Sequence, residues 1–169
     1  TSTNTSFTAT TGHTLTVTDS TMTEGGLTQI GPGGQVEVTG SNLNDFMMDV
    51  GYYPSETPVA PVLRNNVWTG STKLRINGPT DLAGVSGNDA AGTNTDAGEI
   101  YVYKGATDLR DTTDLSGLRR IYAFGGYYYD ARLVIHGQPN LNGLTIGGNP
   151  SFFTPVEGNG VVAGVHLDR

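Results

Sequence analysis

The sequence predicts an all-β fold, a β-sandwich of jelly-roll type with an extended N-terminal arm, and three observations predict it. Short runs alternate polar and apolar residues, as in His13-Thr-Leu-Thr-Val-Thr18. Such runs recur at spacings of roughly 8–12 residues, separated by Gly, Asn and Pro. β-branched Thr is abundant, whereas the helix-favouring residues Ala, Glu, Lys and Leu are scarce. A chain of 169 residues is long enough for one well-buried core. The expected division is an arm over residues 1–12 and a single β-sandwich domain over 13–169.

Taken in order, Thr1, Ser2, Thr3, Asn4, Thr5, Ser6, Phe7 and Thr8 offer one large apolar side chain, Phe7, too little to offset the entropy of ordering the segment. This arm is expected to borrow its order from a partner or a neighbouring strand. Leu15 and Val17 share one face of the first strand, and Gln35-Val-Glu-Val-Thr39 repeats the pattern. Residues 43–68 are less regular, and prolines at 54, 58 and 61 argue for a loop or edge segment. Ser71-Thr-Lys-Leu-Arg-Ile-Asn77 is a strand closed by Asn77-Gly78-Pro79, and residues 78–98 form a long loop. Glu99-Ile-Tyr-Val-Tyr-Lys104 is a strand. Asp108–Gly117 is a short helical turn anchored by Leu109, Leu115 and Leu118. Arg119–Phe124 and Tyr127–His136 are two strands, or one bent at Gly125-Gly126. Asn142-Gly143 predicts a hairpin into Leu144–Ile146, and Gly160–Leu167 closes the domain. No repeat of fixed period is visible, and the irregularly spaced Thr-Asp-Leu at 80–82, 107–109 and 113–115 reads as chance.

A net charge of −7 with dispersed Lys and Arg offers no counterion-releasing surface for nucleic acid. Without cysteine there is no disulfide and no thiolate zinc site. No apolar run approaches the ~20 residues of a membrane span, so no membrane partner is expected. The N-terminus lacks a signal-peptide pattern, and Thr1 is the small residue that trimming of an initiator Met would leave. Gly84-Val-Ser-Gly-Asn88 lacks the last glycine and the helix of a nucleophile elbow. Gly31-Pro-Gly-Gly34 leads into a strand, not into the helix a phosphate loop needs. His13, His136 and His166 have no metal-ligand spacing. In the loop 86–99, Asp89, Asp96 and Glu99 supply the hard oxygens calcium prefers, against a competing reading as a solvated Asx-turn loop. Asp108, Asp111 and Asp114, spaced by threes, single out no general acid. The expectation is a protein that is not an enzyme and uses no cofactor.

The aromatic residues carry the remaining signal. Strand alternation puts Tyr127 and Tyr129 on one face and Tyr128 on the other, and opposes Tyr101 and Tyr103 to Ile100 and Val102. With Trp68 these tyrosines are the candidate interface or ligand aromatics, since Tyr joins an apolar body to a polar tip.

A polar arm over Thr1–Thr11, a cysteine-free Thr/Gly/Asn-rich β-domain, Tyr-rich strands and no catalytic motif together resemble the capsid decoration, or cement, proteins of tailed bacteriophages. The resemblance implies a structural protein of the virion, assembled in the host cytoplasm and placed on the capsid surface as a homotrimer. Its partner would be the major capsid protein, whose sheet edges the arm would augment. The alternative is a carbohydrate-binding module or the receptor-binding tip of a fibre or adhesin, with Trp68 and the tyrosines stacking on a glycan.

Overall fold

The computed structural model describes residues 1–29, 33–51, 57–94, 96–126, 129–148, 156–158 and 166–167. No helix occurs among them. The strands wind into a parallel β-solenoid rather than a jelly-roll sandwich. The main sheet runs in the order Ser2–Ala9, Thr21–Gln29, Asn42–Val50, Lys73–Ile76, Glu99–Val102, Arg120–Ala123, Thr145–Gly148, His166–Leu167. A second sheet stacks Thr14–Thr18, Gln35–Thr39, Val62–Arg64 and Val85–Ser86, and a third Thr80–Asp81, Ala106–Leu109, Arg132–Ile135 and Val156–Gly158. Every ladder in these sheets is parallel. Among the described residues the one antiparallel pair is a small hairpin, Gly125–Gly126 with Tyr129–Asp130.

Register explains why so polar a chain folds this way. One turn of the coil advances 20 residues from Ser2 to Met22 and 27 from Thr80 to Thr107. Each turn places an apolar residue above the last, giving the column Phe7, Leu27, Met48, Leu74, Ile100, Ile121, Ile146. All but Phe7 are buried. Because side chains alternate along a strand, the residues between them must face outward. A second buried line, Val38, Leu63 and Val85, continues from the partly buried Val17.

The corners are built from stacked special residues. Asp19, Gly40, Asn65 and Gly87 all have left-handed backbone, φ between 47° and 63°, a region reached at low cost only by Gly and by Asn or Asp. A Cβ on Gly40 or Gly87 would collide with the side-chain oxygen of Asp19 or Asn65 one turn away. Immediately after them, Ser20, Ser41, Asn66 and Asn88 form a ladder along the axis. The Ser20 amide donates to Ser41 Oγ (3.1 Å), the Ser41 amide to Asn66 Oδ1 (3.0 Å) and the Asn66 amide to Asn88 Oδ1 (3.2 Å). A second bend column, Asn4, Glu24, Asp45 and Gly70, is also left-handed throughout.

In that second column the Asp45 carboxylate accepts from the Ser71 amide (2.9 Å) and hydroxyl (3.0 Å). These bonds, the amide's first, hold its carboxyl below the usual range. Since the folded value is depressed, this stabilisation is complete above the unfolded pKa of 3.8 and is lost as pH falls through the folded value. Asp45→Asn is expected to flatten the acid limb of thermal stability below about pH 4, read from melting curves.

Several sequence expectations are corrected. Residues 1–12 are not a free arm, because Ser2–Ala9 is paired along its length with Thr21–Gln29 as the first rung of the main sheet. Asn42–Val50 is a nine-residue strand where irregular chain was expected, its left-handed bend at Asp45 disguising the alternation. The loop 78–98 contains the strands Thr80–Asp81, Val85–Ser86 and Asp89–Ala90. Residues 108–117 make a solenoid corner instead of a helical turn, although Leu109, Leu115 and Leu118 are buried as anchors. Asn142-Gly143 turns between coils without forming a hairpin, since Thr145–Gly148 pairs in parallel with Arg120–Ala123. Two of the three Thr-Asp-Leu copies are not chance: Thr107 and Asp108 lie in register on Thr80 and Asp81, with Leu82 and Leu109 both buried.

Candidate functional site

The outward residues of the main sheet form a grid. Across successive strands the register aligns Met47, Lys73, Glu99 and Arg120 in one column and Asp49, Arg75, Tyr101 and Tyr122 in the next. Two residues further along lie Tyr103 and Phe124. The result is a block of four aromatic rings, partly exposed and backed by the buried Ile100, Val102, Ile121 and Ala123. Tyr103 and Phe124 lie 5.1 Å apart at 12°, Tyr101 and Phe124 5.9 Å at 7°, and Tyr101 and Tyr122 5.3 Å at 30°. Near-parallel rings at such separations are offset stacks, which stiffen the patch.

Charges border the block as ion pairs, with Lys73 and Arg120 on Glu99 and Arg75 on Asp49. The nearly buried Glu99 carboxylate meets Lys73 Nζ at 3.2 Å and Arg120 Nη1 at 3.5 Å, and accepts a hydrogen bond of 2.7 Å from the Tyr101 hydroxyl. Burial, with that hydrogen bond second, pushes the Tyr101 phenol well above its ordinary value and keeps it neutral. Lys73 Nζ also sits 5.2 Å from the centroid of the Tyr101 ring, a cation–π contact. Arg75 grips Asp49 with both arms of its fork, Nε at 2.6 Å and Nη2 at 2.5 Å, which raises its guanidinium pKa further. Beyond Tyr122 the next strand places Gly147 in register, so no side chain follows it there.

Of the aromatics singled out from sequence, the structure brings Tyr101 and Tyr103 together on this face. Trp68 is corrected: it is fully buried, stacked between Leu43 and Ala90 in the core, and reaches neither ligand nor partner. Tyr127 and Tyr128 lie outside the described residues, and Tyr129 is placed only as backbone of the hairpin. Sequence reasoning missed Tyr122 and Phe124. The alternation that exposes Tyr101 and Tyr103 was available in Arg120-Ile-Tyr-Ala-Phe124 as well.

The calcium candidates are not gathered. Glu99 is taken by its cations, Asp96 is exposed in a loop inserted at a bend, and Asp89 stands in the short strand paired with Val67–Thr69. No group of three or more His, Asp or Glu among the described residues is placed to hold a metal ion. Asp108, Asp111 and Asp114 serve structure: Asp108 pairs with Arg110 (3.0 Å) and His136 (3.3 Å), Asp111 accepts from the Gln138 amide (2.5 Å), and Asp114 from the Ser116 amide (3.0 Å). No described helix is long and apolar enough to cross a membrane. Compared with known proteins, the chain matches no family model, no curated protein and no solved structure.

Proposed function

We propose that the protein is a non-enzymatic carbohydrate-binding segment of fibre or adhesin type, with the ligand seated on Tyr101, Tyr103, Tyr122 and Phe124. The observation that carries this reading is the aromatic block itself, partly exposed on a rigid parallel sheet. Rings of this kind present apolar surface to the C–H face of a sugar. The bordering cations are engaged by Glu99 and Asp49, so the site favours a neutral sugar over a uronate or sulfate. Binding should therefore respond weakly to salt.

A capsid-decoration role would have to run through the faces or ends of the coil, because the segment that was to reach a shell protein is spent in the first rung. Titration of neutral and acidic oligosaccharides by calorimetry distinguishes the outcomes. The neutral series is expected to bind, and Tyr101→Ala and Phe124→Ala are each expected to weaken it by about tenfold or more. Binding unchanged by both substitutions, or absence of any glycan binding, would remove the proposal.

A further inference from the structure

The face that carries the four rings is short in one direction and long in the other. Along a strand the chain bends at Gly98 (φ 79°) and Gly105 (φ 76°), and the rung between those bends turns Glu99, Tyr101 and Tyr103 outward. Along the coil axis the same face runs on. Register places Thr28, Asp49, Arg75, Tyr101 and Tyr122 in one column across five adjacent strands, each of them half-buried. On the far side of Tyr122 the column meets Gly147, which is buried, so its accessible part leads from the rings toward Arg75 and Asp49. Four steps between strands roughly 4.8 Å apart put Thr28 about 19 Å from Tyr122, the length of roughly four pyranose units.

The polar half of this column is suited to sugar hydroxyls. Arg75 commits Nε (2.6 Å) and Nη2 (2.5 Å) to Asp49, which leaves the remaining N–H groups of the guanidinium to donate and the remaining carboxylate lone pairs to accept. Because two bonds already fix the fork, little side-chain freedom is lost when a ligand arrives. Thr28 adds a hydroxyl beyond the pair.

We propose that the ligand is an extended chain of neutral sugars laid along the coil axis, one stretch stacked on the rings and the next hydrogen-bonded to Arg75, Asp49 and Thr28. This rests on the glycan reading and names its ligand class: a linear oligo- or polysaccharide of at least about four units, rather than a terminal mono- or disaccharide. The rings supply the apolar contact, and the ion pair, neutral as a unit, supplies the polar one.

The test is calorimetric titration of the whole chain with linear neutral oligosaccharides of the cello-, manno- and xylo- series, from two to six units long. In the series that binds, affinity is expected to rise at least about tenfold from the disaccharide to the tetrasaccharide and then to level off. Arg75→Met with Asp49→Asn, which removes the pair without leaving a lone charge, is expected to abolish that gain and to leave disaccharide affinity unchanged. Tyr101→Ala should weaken every length. In the wild type, amide NMR shifts of Asp49 and Thr28 are expected to move with the tetrasaccharide and not with the disaccharide, a readout that does not depend on any variant folding. A disaccharide that binds as tightly as the hexasaccharide overturns this inference while leaving the ring site standing, as does a length gain that survives the double substitution, an equal loss at every length in that variant, or Asp49 and Thr28 amides that stay still. Absence of binding in all three series overturns it together with the glycan reading.

Discussion

Asn66→Ala is expected to destabilise the fold by about 2–4 kcal/mol, read as a lower urea midpoint. The wild-type side chain is fully buried and fully used. Its oxygen accepts the Ser41 amide, and its nitrogen donates to the Val38 carbonyl (2.8 Å) and to Asn88 Oδ1 (2.9 Å). Truncation leaves the Ser41 amide buried without its acceptor, and a buried donor without a partner costs far more than a hydrogen bond ordinarily contributes. Asn66→Ser should recover part of the loss, because Ser41 already performs the same task one turn earlier by accepting the Ser20 amide. Equal losses for Ala and Ser would mean that the ladder is not what the residue supports.

Trp68→Ala is expected to cost about 3–5 kcal/mol, the range for deleting a large buried aromatic. Trp68 is fully buried, in register with Leu43 on one side and the small Ala90 on the other, so its truncation removes a large volume from the core. The substitution should lower the melting temperature without altering the glycan affinity of molecules still folded. A selective loss of binding with normal stability would return Trp68 to the ligand site.

What was legible in the sequence followed from alternation alone. The polar/apolar period of two assigned the strands at 14–18, 35–39 and 99–102 and correctly turned Tyr101 and Tyr103 away from Ile100 and Val102. The repeat was legible too, in degenerate form: Thr18-Asp-Ser-Thr-Met-Thr23, Thr39-Gly-Ser-Asn-Leu-Asn44, Arg64-Asn-Asn-Val-Trp-Thr69 and Ser86-Gly-Asn-Asp-Ala-Ala91 occupy one corner. It escapes a search for identity because each position demands a property rather than a residue. The corner needs left-handed backbone, which Asp, Gly and Asn supply, then a short hydrogen-bonding side chain, which Ser and Asn supply. Insertions such as residues 91–98 also change the length of each turn. The polar arm misled for a related reason. Its few apolar side chains could not order it alone, but a preformed neighbouring rung supplies both hydrogen bonds and a floor for Phe7.

The aromatic face exists only if the chain is wound in parallel with this register, and methyl-resolved NMR tests that most directly. The fold requires contacts from Leu74 to Ile100 and from Ile100 to Ile121, with no Hα–Hα contacts across the strands Glu99–Val102 and Arg120–Ala123. Strong Hα–Hα contacts between those two strands would establish an antiparallel sheet and contradict both the solenoid and the binding face built on it.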